Sequence, residues 1–174
     1  MFDFVEKLML ARLIELEKGK ISLMGQPVNI IPTDILIYIQ KTMIRSVGIK
    51  KTYEVLYEST KKGAMIYCKE FIKKYNIKNF KEILEWYIKI VTLAGWGDGV
   101  ISYANKEKSQ VNYRLINSPF CKNYGQTNYP ICFIQCGFGA GGLSILFNKN
   151  IDIIETKCAS QGHKYCEFEG KITV

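Results

Sequence analysis

Residues that usually carry chemistry are scarce in this sequence. It has one histidine, His163, so a histidine-based acid–base enzyme has little to work with. Only three of its 24 basic residues, Arg12, Arg45 and Arg114, are arginines, the residue type that bidentate recognition of phosphates and base edges favours. No paired carboxylates and no serine–histidine–aspartate set can be assembled from it. No apolar run approaches the roughly 18–20 residues of a membrane span. The opening stretch carries Asp3 and Glu6 where a secretory signal would be basic. Internal repeats, low-complexity tracts and linkers are lacking too. These absences point to a cytoplasmic protein without a membrane span.

What is present is a globular composition. The 174 residues are 48% hydrophobic and 23% charged, far from a disordered composition. They suffice for one domain over 1–174, with a core that needs no disulfide staples. The net charge is +8. Its lysines are spread along helical stretches (Lys61, Lys62, Lys69, Lys73, Lys74, Lys78, Lys81) and read first as a solvated surface. A nucleic-acid partner is the weaker reading, because a positive field alone supports only salt-sensitive phosphate binding.

Apolar residues recur at roughly helical spacing over 2–17 (Phe4, Leu8, Leu13), predicting a helix ended near Gly19. ISLMGQPVNIIP alternates around Gly25–Gln26 and predicts a two-stranded hairpin. Thr33 or Asp34 caps a helix that runs to about Val47 and stops at Gly48. A lysine-studded helix follows over about 50–75, with Gly63 as a weak point, and Asn79 caps another that closes at Gly95. The period then changes towards two. Residues 97–104 and 109–117 form a second hairpin, and a loop with Pro119 and Pro130 leads to a glycine-rich apolar segment, 131–147. Strands at 151–158 and 164–172 flank SerGlnGlyHis. Strands and helices do not alternate as βαβ units, so the class is α+β: N-terminal helices with a short β-hairpin, then an antiparallel sheet interrupted by a Gly-rich helix.

Six cysteines (68, 121, 132, 136, 158 and 166) are many for a cytoplasmic chain, and five of them follow residue 120. With no secretory signal, metal binding gains on disulfides. The tail IETKCASQGHKYCEFEGK can bring Cys158 and Cys166 face to face across a tight turn. Glu155 reaches the same point only if a bulge offsets the strand alternation, since residues three apart otherwise face opposite sides. Cys132 and Cys136 lie upstream. Spacing leaves two readings open, a metal site or buried reduced cysteines with a redox pair. His163 sits beside Gly162 in the turn and reads as a turn residue pointing away from the strands. GFGAGG at 137–142 satisfies Gly-x-Gly-x-x-Gly, but too few residues separate it from the next strand for a crossover helix. It reads instead as a helix whose small faces let another element approach. Two tryptophans, 11 tyrosines and 9 phenylalanines, with few polar catalytic candidates, suit a pocket for a hydrophobic ligand.

The segment CFIQCGFGAGGLSILFNKNIDIIETKCASQGHKYCEFEGK, strongest over 131–172, resembles the C-terminal half of the vinyl-4-reductase domain family in its stand-alone, archaeal type. The family's pattern is a cysteine opening a Gly-rich helix, then Glu-x-x-Cys, then Gly-His-x-x-Cys. Every piece is present here in order. In the aromatic-sensing bacterial activators that contain this domain, the matching positions hold a structural zinc. The resemblance therefore implies Cys132, Glu155, Cys158 and Cys166 as zinc ligands, with Cys136 and His163 outside the set. It also implies a fold similar to subunits of Golgi tethering complexes and to haem-based nitric-oxide sensors, commonly dimeric, with an apolar ligand between helices and sheet. No histidine matches a haem ligand. Phenol-type sensors use a Trp and a His near the strand before the zinc region, whereas NYRLINS (112–118) offers Tyr113 and Leu115. The expected ligand is thus hydrophobic or aromatic but not phenol, contacted by Trp96, Tyr113, Leu115 and Ile153.

The leading expectation is a small-molecule-binding regulatory domain, linked to transcription through a partner chain or DNA contacts of its own, and a homodimer. The alternatives are an enzyme or accessory factor of tetrapyrrole or vinyl-reductase chemistry, with Asp98 in GWGDG as its one acidic candidate, and a dimeric scaffold of the Golgi-tethering kind that buries helix 50–75.

Overall fold

The computed structural model describes residues 13–173 apart from Met24 and Lys78. They fall into two compact units that divide after Pro32. The first is an antiparallel meander of β1 (Ile14–Glu17), β2 (Lys20–Leu23) and β3 (Gln26–Val28). The hairpin predicted around Gly25–Gln26 is there as β2 and β3. The helix predicted over 2–17 is overturned at its C-terminal end, because Ile14–Glu17 pairs with β2; residues 2–12 lie outside the described residues. The signal misled for a physical reason. Gly19 has φ +77°, a left-handed conformation that serves a helix C-terminus and a two-residue hairpin turn equally well.

The second unit begins with α1 (Thr33–Tyr75), which starts at the predicted cap and carries Asp34 in its first turn, where the helix dipole favours a negative charge. Gly48 breaks its helical geometry (φ 80°, ψ 164°), as the sequence predicted, so α1 is two helical stretches joined at a kink. Asn79 caps α2 (Phe80–Leu93), its side chain accepting from the N–H groups of Lys81 and Glu82. Leu84, Tyr87, Ile90 and Val91 form its buried stripe. Four strands then build one antiparallel sheet in the order β4-β5-β7-β6: β4 (Asp98–Asn105), β5 (Gln110–Ile116), β6 (Ile151–Lys157) and β7 (Tyr165–Ile172). Val111, Tyr113 and Leu115 of β5 and Cys166, Phe168 and Gly170 of β7 alternate inward, the period-two pattern of a sheet with one covered face.

The predicted loop after β5 contains a helix, α3 (Pro119–Tyr124). Ser118 accepts from the Cys121 N–H as its N-cap, Pro119 occupies the first turn and Gly125 ends it, so the signal was a compact cap–proline–glycine sequence. The glycine-rich segment is α4 (Phe133–Phe147), and ten of its fifteen residues are buried, which makes it the central helix of the unit. Gly137 and Gly141, one turn apart, bring its backbone against the carbonyls of Tyr57 and Lys61, also one turn apart on α1. The small faces do what the sequence suggested, and no nucleotide loop forms.

Lys61, only 8% exposed, ties α1 to β6. Its Nζ donates to Asp152 (2.6 Å) and Asn150 (2.9 Å), and the hydroxyls of Tyr57 (2.8 Å) and Thr173 (2.6 Å) also donate to Asp152. Burial pushes the Asp152 carboxyl up, but the bonds from Lys61, Thr173 and Tyr57 outweigh it and hold the net value below the ordinary range. A depressed carboxyl stabilises the fold above its unfolded pKa, about 3.9, and that contribution is lost as pH falls through the folded value. Asp152→Asn is expected to cost about 1–2 kcal/mol at neutral pH, a modest figure because Asp152 is half exposed. Urea midpoints of the two proteins should converge as pH drops below about 4. A gap that stays constant with pH would refute the assignment.

Candidate metal centre and ligand pocket

Four cysteines from four places in the chain meet at one end of the sheet. Cys121 comes from α3, Cys132 is the residue that opens α4, Cys158 follows β6 and Cys166 lies on β7. All four are buried, and their sulfurs lie within 4.8 Å of one another. Cys121 Sγ is 3.5 Å from Cys132 Sγ and 3.4 Å from Cys166 Sγ, and Cys132 and Cys166 are 3.6 Å apart. A disulfide needs about 2.05 Å, and all six cysteines are free. Four sulfurs around a zinc at about 2.3 Å sit roughly 3.8 Å from one another, so the spacing suits a tetrahedral thiolate site. Electrostatics agree: hydrogen bonds from the thiols of Cys132, Cys158 and Cys166 hold Cys121 far below its ordinary value. Burial drives Cys132 the other way. Such a cluster cannot carry four negative charges unaided, and a cation resolves the conflict. The backbone N–H of Ala159 donates to Cys166 Sγ at 3.3 Å, fixing that sulfur from a second direction.

The structure thus brings together Cys132, Cys158 and Cys166, and adds Cys121, which the sequence reading did not single out. Cys121 stands 11 residues before Cys132 with no Cys-x-x-Cys spacing; only the fold of α3 delivers it. Glu155 stands beside the cluster. The register between β6 and β7 shifts between Glu155 and Lys157, the bulge that the spacing required. Glu155 Oε2 accepts from the Cys132 N–H at 2.9 Å, and its carboxyl is in hydrogen-bonding contact with the side chains of Cys132 and Cys158. Oε1 is buried without a partner. Burial, then the charge of Cys158, pushes this carboxyl up to about 8. Cys136 is buried one turn into α4, outside the four, and His163 is exposed in the turn.

A second feature lies between α2, α4 and β5. Trp96, Tyr113 and Leu115 line a small apolar cavity with Tyr87, Val91, Ile134 and Phe138, and its free space is about that of one water molecule. Ile153 is fully buried elsewhere in the core, with its tip beside Gly139, and is not among the residues of this wall. Gln135 is the polar member of the lining. It is 5% exposed, and both polar atoms of its carboxamide lack a partner. Asp98 is exposed at the start of β4, where it accepts from Asn117 Nδ2 at 3.0 Å, and does not line the cavity. No helix among the described residues is long and apolar enough to cross a membrane.

Comparison with known proteins agrees with this architecture. The chain is 32% identical over 104 residues to the uncharacterised protein MJ1642 of Methanocaldococcus jannaschii, a match that spans 60% of each chain. In two further proteins of that organism the match spans 58% and 53% of their length. The phenol-responsive sensory domain of the transcription activator PoxR, solved with phenol, superposes with a TM-score of 0.84 at 19% identity, covering 98% of this chain and 92% of that one. A vinyl-4-reductase family protein from M. jannaschii gives 0.58 at 22% identity, covering 84% and 85%. The same fold recurs in a trafficking protein particle complex subunit 3 from Naegleria fowleri (0.61, 15% identity, covering 82% and 95%). Residues 111–172 match the vinyl-4-reductase domain, the family whose cysteine–glutamate pattern the sequence carries, and the chain is a vinyl-4-reductase-domain protein.

Proposed function

We propose that this chain is a small-molecule-binding regulatory domain, with a structural zinc held at the cysteine cluster and a compact aromatic or apolar ligand seated between α2, α4 and β5. The observation that carries the ligand reading is Gln135: a carboxamide with two unpaired polar atoms inside an apolar shell costs about 1–3 kcal/mol per orphaned group unless something pairs with it. A ligand with a polar group on an apolar body supplies that partner. The cavity is nearly closed, so entry has to part α4 from α2, and Trp96 and Phe138 at its partly buried rim are the side chains to move. A ligand that binds only the parted form shifts the population towards it, which is how a regulatory domain reports occupancy. The likeness to a phenol-responsive sensory domain supports the same reading, including the link to transcription.

Zinc is the metal favoured by a closed set of thiolates with no open position for substrate, and it would pin the last hairpin to α3 and α4. Native mass spectrometry of the purified chain, before and after mild denaturation, tests the whole proposal. One zinc per chain with an apolar adduct, at the mass of two subunits, is the expected spectrum. A metal-free chain with six titratable thiols overturns the zinc assignment. Failure of any aromatic or apolar compound in a screen to shift the wild-type melting temperature overturns the ligand reading.

A further inference from the structure

The cluster holds one donor too many. Tetrahedral zinc takes four ligands, yet four sulfurs and the Glu155 carboxylate converge on the same point. We infer that Cys121 and Glu155 are alternative fourth ligands of one metal, so that the site passes between a four-thiolate and a three-thiolate–carboxylate form without releasing the ion. The inference rests on the metal reading above.

Two observations set the roles. Glu155 is placed but unspent: Oε2 is anchored by the Cys132 N–H while Oε1 is buried and partnerless, beside the side chains of Cys132 and Cys158. A carboxylate in that state gains a partner by turning onto the metal. Cys121 is the ligand that can leave. Cys132, Cys158 and Cys166 are fully buried, whereas Cys121 borders an open polar cleft with Asn117, Ser118, Lys122, Ala159 and Lys164. It also sits on α3, a helix of six residues, while the other three are held by α4 and the sheet hairpin. Solvent-borne electrophiles therefore reach Cys121 first, and its loss leaves three thiolates with Glu155 ready to close the set.

The test uses the full chain and four variants: Cys121→Ser, Glu155→Gln, the double variant, and Cys158→Ser. Zinc per chain is read by native mass spectrometry, and thiolate number by the sulfur-to-metal charge-transfer absorbance of the cobalt(II)-loaded proteins. Both single variants at 121 and 155 are expected to keep one metal. Absorbance should fall by about a quarter in Cys121→Ser and stay unchanged in Glu155→Gln. The double variant should bind at least tenfold more weakly than either, the scale of a lost ligand or its support. Metal loss in Cys121→Ser equal to that in the double variant overturns the exchange, as does full retention in the double variant. If Glu155→Gln alone fails like Cys158→Ser, Glu155 is an obligate ligand and the exchange is again wrong. A wild-type chain without metal overturns this inference together with the reading beneath it.

Discussion

Cys158→Ser is expected to strip the metal and lower the melting temperature by roughly 10–15 °C. Structural zinc contributes about 10–16 kcal/mol in finger peptides that have no other core. Here α1, α2, α4 and the inner face of the sheet make a core of their own, including Tyr113, Leu115, Phe168 and Ile153. The metal's share is therefore smaller, about 3–5 kcal/mol, and at roughly 2–4 °C per kcal/mol for a chain of this size the shift follows. Cys158 is the informative position because it follows the bulge and no second donor stands behind it. A strong chelator should reproduce the shift in the wild type and add nothing to the variant. Cys136→Ser is the control: equally buried, outside the four, it should keep the metal. A wild-type melting temperature indifferent to chelator would remove the structural role.

Gly141→Leu is the other large effect, at about 3 kcal/mol or more of lost stability. A Cβ at Gly141 would meet the Lys61 carbonyl oxygen and lie 2.8 Å from Ala64 Cβ, and neither backbone can yield without parting α1 from α4. Inserted methylenes in a packed core typically cost 1–3 kcal/mol; a leucine against main chain belongs at the top of that range, and the same displacement pulls Lys61 from Asp152. Gly63→Ala on the facing helix should do the opposite and stabilise by about 0.5–1 kcal/mol, because nothing lies within 4 Å and the backbone is already helical. Chemical denaturation of both variants decides it. Equal effects would mean that the close approach of α1 and α4 carries no weight.

Most of the second unit was legible because its signals are local. Asn79, the kink at Gly48, the alternation of β5 and the Gly-rich stripe each announce themselves within a few residues. The family resemblance reached Cys132, Cys158 and Cys166 and placed Glu155 among them. Cys121 was not legible, because its position depends on α3 folding back onto the turn at Ala159–Gln161, where Ser160 Oγ donates to the Cys121 carbonyl at 3.2 Å. Gln135 was hidden for a related reason. Its neighbours Cys136 and Gly137 read as packing residues, and only the sheet opposite shows that its carboxamide faces apolar groups. At Gly19, one backbone conformation serves two kinds of structure, and the pairing of Glu17 with Lys20 settled which.

The bulge after Glu155 also carries a lesson in counting. On a regular strand, an even separation keeps two residues on one side and an odd separation parts them. Glu155 and Cys158 are separated by an odd number and still share a side, so the Glu-x-x-Cys spacing encodes an inserted residue as firmly as it encodes two donors. Thr156 is thus a spacer that no ligand inventory would include. A chain reading Glu-x-Cys could reach the same arrangement through an unbroken strand, and two sequences that look mismatched by one position would then describe one and the same site.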